Sequence, residues 1–220
     1  MGKKVKKHTK TYKEIYKKYE DVPKDKDERM TYILDKLNIR KKDKDTILNS
    51  IDDIIWKKKS YRKSLKMTFY IVPEGISRPR KGKWGFYVPN IKKFYDCMDD
   101  YLESHKELKN MMLSSECKLD LKYFMNMPSD MRKIEKLLAE LKFIKCIKKP
   151  DWDNLGKGTD MLNRIWLDDC LVSDSRVRKY YSFKPRIEVK ITYYEKPTNS
   201  YHEKCIEKLR GKYEKWQRKK

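Results

Sequence analysis

Arg186-Ile187-Glu188-Val189-Lys190-Ile191-Thr192-Tyr193 alternates polar and apolar residues, with Pro197 soon after it. Side chains on a strand point to opposite faces in turn. Ile187, Val189, Ile191 and Tyr193 therefore share one face, and Arg186, Glu188, Lys190 and Thr192 the other, so residues 186–194 read as a half-buried strand. Cys117, Leu119, Leu121, Tyr123 and Met125 alternate with Lys118, Asp120 and Lys122 in the same way. Residues 171–181 read as a further strand, and Met67–Val72 as a β-rich run stopped at Pro73-Glu74-Gly75. Helical spacing fills the gaps. It is expected over 90–112, over 129–144 with Ile134, Leu137, Leu138 and Leu141 on one stripe, and from about Asn154 to Ile165. Pro150 stops the second of these. Strands interleaved with helices predict an α/β or α+β domain over 67–195, a mixed β-sheet packed with helices.

Both flanks differ from this centre. Residues 1–66 are Lys-rich, with Ile33, Leu34 and Leu37 on one helix face and Ile47, Leu48, Ile51, Ile54 and Ile55 on another. Asp45 and Thr46 are expected caps. Tyr12, Tyr16 and Tyr19 also stand at helical spacing, and the reading is a basic helical extension. From Lys196 the tail carries nine basic and three acidic residues and reads as a solvated helix over 196–220.

The 220 residues carry 56 Lys+Arg against 33 Asp+Glu, a formal charge of +23. That excess repels itself in a compact fold, so an anionic partner is expected: nucleic acid first, then a membrane surface or an acidic protein. No apolar run approaches the roughly 20 residues of a membrane span. Cys97, Cys117, Cys146, Cys170 and Cys205 form no CxxC pair, and His8, His105 and His202 do not cluster with them. Reduced thiols in a cytoplasmic protein are expected, and zinc is not.

The acidic residues concentrate in Pro150-Asp151-Trp152-Asp153-Asn154-Leu155-Gly156-Lys157 and in Trp166-Leu167-Asp168-Asp169. Asp151 and Asp153 flank a helix start, where capping and the helix dipole favour carboxylates. Lys157 follows Asp153 by one helical turn. If the Asp168-Asp169 turn folds back over that start, three or four carboxylates converge. Converging carboxylates call for a cation, and oxygen-only ligands suit Mg²⁺, with Mn²⁺ able to substitute. Each piece also has a plainer reading: a helix start, a polar turn, a surface ion pair.

Lys149-Pro150-Asp151-Trp152-Asp153-Asn154-Leu155-x-Lys157, followed by Asp160-Met161-Leu162-Asn163, Trp166-Leu167-Asp168-Asp169 and Val172, resembles the signature of the RusA family of Holliday-junction resolvases. A weaker match runs in order upstream, through Arg78-Pro79-Arg80, Tyr87-Val88-Pro89-Asn90 and Met127-Pro128. The resemblance covers about 67–194. It implies Mg²⁺-dependent resolution of four-way or branched DNA by a homodimer that makes two symmetric nicks. It places the catalytic and metal-binding aspartates on Asp151, Asp153 and Asp169 and the motif lysine on Lys157, with Asp168 as an adjoining or alternate ligand. The interval from Asp153 to Asp160 is one residue shorter than the family pattern, so Asp160 receives no role. Gly156 and Gly158 replace better helix formers at roughly 1 kcal/mol each, or mark the close approach of a DNA backbone.

Against DNA, Arg78, Arg80, Lys81 and Lys83 form an expected phosphate-gripping loop, with Trp84 or Phe86 able to stack on unpaired bases. The alternative is a solvated loop with Trp84 in the core. Arg176, Arg178 and Lys179 either hold phosphates or form the wet face of a sheet. Three other functions compete: a non-catalytic branched-DNA binder, a general Mg²⁺ nuclease without junction preference, and a basic RNA- or ribosome-associated protein. The last leaves the acidic constellation unexplained.

Overall fold

A computed structural model describes residues 28, 32, 33, 40, 43–76, 80–83, 85–88 and 91–218. The chain divides into two compact units, 1–53 and 54–220. In the first, Tyr32 and Ile33 are helical, and helix α1 (Lys44–Ser60) begins there. Because α1 opens at Lys44, Asp45 and Thr46 fall within its first turn and not at the N-cap position. Leu34, Leu37 and the three N-terminal tyrosines lie outside the described residues.

The second unit is built on a mixed four-stranded sheet in the order β1-β6-β4-β5, where β1 is Arg62–Phe69, β4 Cys117–Asn126, β5 Val172–Ser182 and β6 Arg186–Tyr194. Strand β6 runs antiparallel to β1 and β4, while β4 and β5 are parallel. A parallel pair needs a long crossover, and the whole acidic region lies within this one. A separate ribbon pairs β2 (Arg80–Gly82) with β3 (Gly85–Tyr87).

The alternation read from the sequence sets the two faces of the sheet. Leu119, Leu121, Tyr123, Ile187, Val189, Ile191, Met67 and Phe69 are all buried. They meet Phe94, Met98 and Leu102 of helix α2 (Lys92–Ser104), together with Leu155, Met161 and Leu162 of the crossover. The opposite face is charged. There Lys118 pairs with Asp174 at 3.3 Å, Lys122 with Glu188 at 3.5 Å, and Arg178 with Asp120. One dry and one wet face is the usual economy of a sheet with antiparallel strands.

Some boundaries moved. Strand β1 starts at Arg62, inside the expected helical stretch, and stops at Phe69, opposite Ile187 near the start of β6. Tyr70 and Val72 have run past the last partner strand and are 65% and 44% exposed. The helix expected over 90–112 closes at Ser104, followed by a short 3₁₀ turn, Lys106–Leu108. The helix expected over 129–144 is only α3, Lys133–Glu140. It rests on the sheet through buried Ala139 and through Glu140, whose carboxylate accepts from Ser182 Oγ at 3.0 Å and Phe183 N at 2.7 Å. Its apolar stripe points outward. The tail helix α5 (Ser200–Gln217) is not solvated all round, since Ile206 is 5% exposed and Leu209 packs on the core.

Candidate active site

The acidic helix start is held from several sides. Asp151 is extended (φ −67°, ψ 153°) and helix α4, Trp152–Gly156, begins after it. Lys179 Nζ donates to the carbonyls of Lys148 and Pro150, both at 2.9 Å, tying the preceding loop to β5. The Lys149–Pro150 peptide is cis. Ile76 N donates to Asn154 O at 3.1 Å, so the chain after β1 lies against the first turn of α4. Tyr123 Oη, buried in the sheet, donates to Leu155 O at 2.7 Å.

Close approach on one flank requires a glycine. A Cβ on Gly75 would stand 2.7 Å from Pro150 Cβ, nearer than carbon atoms can pack. Gly158 is under no such demand, since a Cβ there would meet Tyr123 Oη at 3.5 Å and Phe94 at 3.8 Å, ordinary contact distances. It is buried within the crossover, so it does not offer its backbone to DNA. The helix expected over 154–165 is one turn of α-helix and then a 3₁₀ segment, Lys157–Arg164. Two glycines in three residues weaken an α-helix at that point.

The second acidic pair is fixed from β4's side. Leu113 N donates to Ile165 O at 2.7 Å and Leu167 N to Leu113 O at 2.9 Å, while the Trp166 ring is buried with Nε1 on Asn163 Oδ1 at 2.6 Å. The chain leaves this bridge at Asp168, which caps a 3₁₀ turn, Asp169–Leu171, by accepting from Cys170 N at 2.9 Å. The hydrogen bonds from Cys170 hold the Asp168 carboxyl below its ordinary value, with Lys212 a more distant contributor. Burial, with Asp168 and Asp169 beside it, pushes the Cys170 thiol up to about 11.

The side chains are placed as follows. Asp151, Asp153, Lys157 and Asp169 are exposed, and Asp168 is half-buried. Lys157 Nζ stands 3.5 Å from Asp153 and donates to Asn154 Oδ1 at 3.0 Å. Asp160, given no role from its spacing, is half-buried and near enough to Asp169 to feel its charge. Burial, and then the Asp169 carboxylate, raise its pKa. No local spacing announces it, because the α-helical turn gives way to 3₁₀ at Lys157 and the interval from Asp153 no longer measures turns of one helix. Trp152 was also missed. It stands between the two motif aspartates and is 67% exposed.

The donor set is oxygen-only and open to solvent, which fits a hard divalent cation in chemistry. Among the described residues, no three His, Cys, Asp or Glu side chains gather around one metal position. Asp169 acts on both Asp160 and Asp168, while Asp151 and Asp153 do not complete a set of three with it.

The basic residues separate too. Arg80, Lys81 and Lys83 are exposed on the β2–β3 ribbon, while Arg78 and Trp84 lie outside the described residues. On β5 the register puts Arg176 and Arg178 on the charged face with Asp120, opposite the face where Val177 and Lys179 meet the acidic crossover. Arg178 is paired with Asp120, and Arg176 is exposed.

The family model described as endodeoxyribonuclease RusA matches residues 71–192, from the end of β1 through most of β6, with both acidic segments inside it. The chain belongs to the RusA family. YqaN of Bacillus subtilis strain 168, named only as an uncharacterized protein, is 33% identical over 135 residues, 58% of this chain and 94% of that one. The mixed sheet with helices is thus a RusA-type α+β fold, and membership carries junction-resolving endodeoxyribonuclease activity and DNA binding at the level of the family. RusA-family nucleases are in general divalent-metal dependent. No described helix of this member is long and apolar enough to cross a membrane.

Proposed function

We propose that this RusA-family chain resolves four-way and related branched DNA by paired symmetric nicks, as a Mg²⁺-dependent homodimer. The observation that carries the reading is the helix start at Asp151–Lys157. Its backbone is anchored by β4, β5 and the Gly75 segment, while the Asp151 and Asp153 carboxylates stay exposed. A carboxylate serving only as a cap would turn back on its own helix, yet Asp151 makes no side-chain capping bond.

Asp151, Asp153 and Asp169 would hold Mg²⁺ or Mn²⁺, with Asp168 beside them. A bound divalent ion supplies an activated water and offsets the charge that builds on the phosphodiester. The protein's own share is orientation and charge. Asn154 and Asp153 steer Lys157 to the solvent side of α4, where its ammonium can meet a non-bridging phosphate oxygen. Arg80, Lys81 and Lys83 give phosphates a basic ribbon to lie on. Trp152 offers a ring face to an unstacked base.

The test is cleavage of a synthetic four-way junction beside a linear duplex, with Mg²⁺ or EDTA, by wild type and Asp153→Asn. Paired nicks confined to the junction, needing metal, and reduced at least about 100-fold in the variant while junction binding persists, are the expected result. Cutting of both substrates alike would leave a general nuclease. Binding without cutting by wild type would leave a junction-binding protein.

A further inference from the structure

Helix α5 lies outside the matched span, yet it borders the acidic turn. Cys205, Ile206 and Leu209 of α5 and Cys170, Leu171 and Ser173 line one cavity of about 400 Å³. Arg210 Nη2 adds a hydrogen bond to Ser114 Oγ at 2.9 Å. The helix therefore sits beside the residues that immediately follow Asp169.

Its outer surface is sorted by charge. At about 100° per residue, His202, Cys205, Ile206, Leu209 and Tyr213 form the inward sector. Glu203, Glu207 and Glu214 fall on one outer flank, and Lys204, Lys208, Lys212 and Lys215 on the other, within an arc of about 80°. All four lysines are exposed, and among the described residues none is in an ion pair. A surface helix with no anionic partner gains from opposite charges at i,i+4. Here Lys204, Lys208 and Lys212 follow one another at that spacing, an arrangement that destabilises a helix by roughly 0.2–0.5 kcal/mol per pair. Lys212 stands close enough to the turn to favour the Asp168 carboxylate.

We infer that Lys204, Lys208, Lys212 and Lys215 form a phosphate rail on α5 that grips one strand of a DNA arm beside the Asp168–Asp169 turn. From Lys204 to Lys215 the rail is about 16 Å long at about 1.5 Å per residue, and one strand presents a phosphate about every 3.4 Å of duplex axis. The rail thus spans about five phosphates. It reads no bases, because its ends are point charges on flexible stems. The inference rests on the DNA-cutting reading above and extends the contact surface past the family's matched core.

The experiment uses the full chain carrying Asp153→Asn, so that binding is read without cleavage. Affinity for a four-way junction is measured over a range of NaCl concentrations, with and without Lys204→Gln, Lys208→Gln and Lys212→Gln together. Each lost phosphate contact should lower the slope of log K against log salt by about 0.9, so the triple variant should lose up to about 2.7. Glu203→Gln with Glu207→Gln, on the other flank, should leave the slope as steep or steeper. An unchanged slope in the lysine variant, with junction binding intact, would overturn the rail and spare the DNA reading. If the chain without the lysine changes binds no DNA, both fall together. Uptake onto anionic lipid vesicles that is lost in the lysine variant, with junction binding unaltered, would assign the rail to a membrane surface and overturn the inference.

Discussion

At the scale of single residues, the acidic site depends on atoms that carry no charge. Gly75 is the sharpest case, because its missing Cβ lets the chain after β1 pass within contact of Pro150 and Asn154. Gly75→Ala must push Pro150 or the 73–76 segment away and strain the hydrogen bond from Ile76 N to Asn154 O. Forcing a methyl group into a closed contact costs about 1–3 kcal/mol. The larger consequence is misplacement of Asp151, one residue on from Pro150. We expect Gly75→Ala to cut junction cleavage about tenfold or more while the chain still melts cooperatively. Cleavage rates beside a thermal unfolding curve check this, and wild-type cleavage in the variant would show that the contact is dispensable. The motif aspartates could be read from sequence because their spacing is local. The Gly75 contact could not, since it joins residues far apart in the chain and leaves no periodic trace.

At the scale of elements, Glu116 does for the domain edge what Gly75 does for the site. It stands just before β4, with Lys58 of α1 at 2.9 Å, Ser173 of β5 at 3.2 Å and His202 of α5 at 3.9 Å. Burial alone would raise its pKa, but the hydrogen bond and charge of Lys58, then Ser173 and His202, outweigh it and hold the carboxyl below its ordinary value. A carboxyl depressed in the folded state stabilises the fold above its unfolded pKa, and that stability drains away as pH falls through the folded one. Glu116→Gln should therefore melt at a lower temperature than wild type near pH 7. The gap should close as pH falls through and below the ordinary carboxylate range. A gap independent of pH would mean that the side chain acts through packing alone. The strands around this cluster were legible because period-2 alternation survives wherever one face is dry, as in 117–125 and 186–194. The helices were legible in position but not in extent. Residues 154–165 shift to 3₁₀ where Gly156 and Gly158 interrupt them, and the start of β1 at Arg62 is set by a pairing with Tyr194 that no local pattern announces.

At the scale of the whole molecule, helix α3 carries an apolar stripe that the other described residues leave exposed. Ile134 is 73% exposed, Leu137 57%, Leu141 57% and the following Phe143 76%. Other large apolar side chains are exposed too, Ile55 at 59% and Ile147 at 89% among them, but these four follow one another along α3 and its exit. An exposed contiguous patch of this kind marks an interaction site. Two symmetric nicks need two active centres related by a two-fold axis, and a two-fold interface uses the same patch on both copies. In the proposed homodimer the stripe could meet that requirement with itself, while the +23 charge would keep two copies apart wherever apolar contact does not hold them. Leu137→Asp with Leu141→Asp would place two carboxylates in each half of such an interface. Being exposed in the single chain, both sites tolerate the change with little loss of fold, within about 0.5 kcal/mol each. Light scattering after size exclusion should give a dimer for wild type and a monomer for the variant. On a four-way junction the monomer should nick one strand without the paired second nick. A variant that stays dimeric and still nicks in pairs would move the two-fold axis to another face of the molecule.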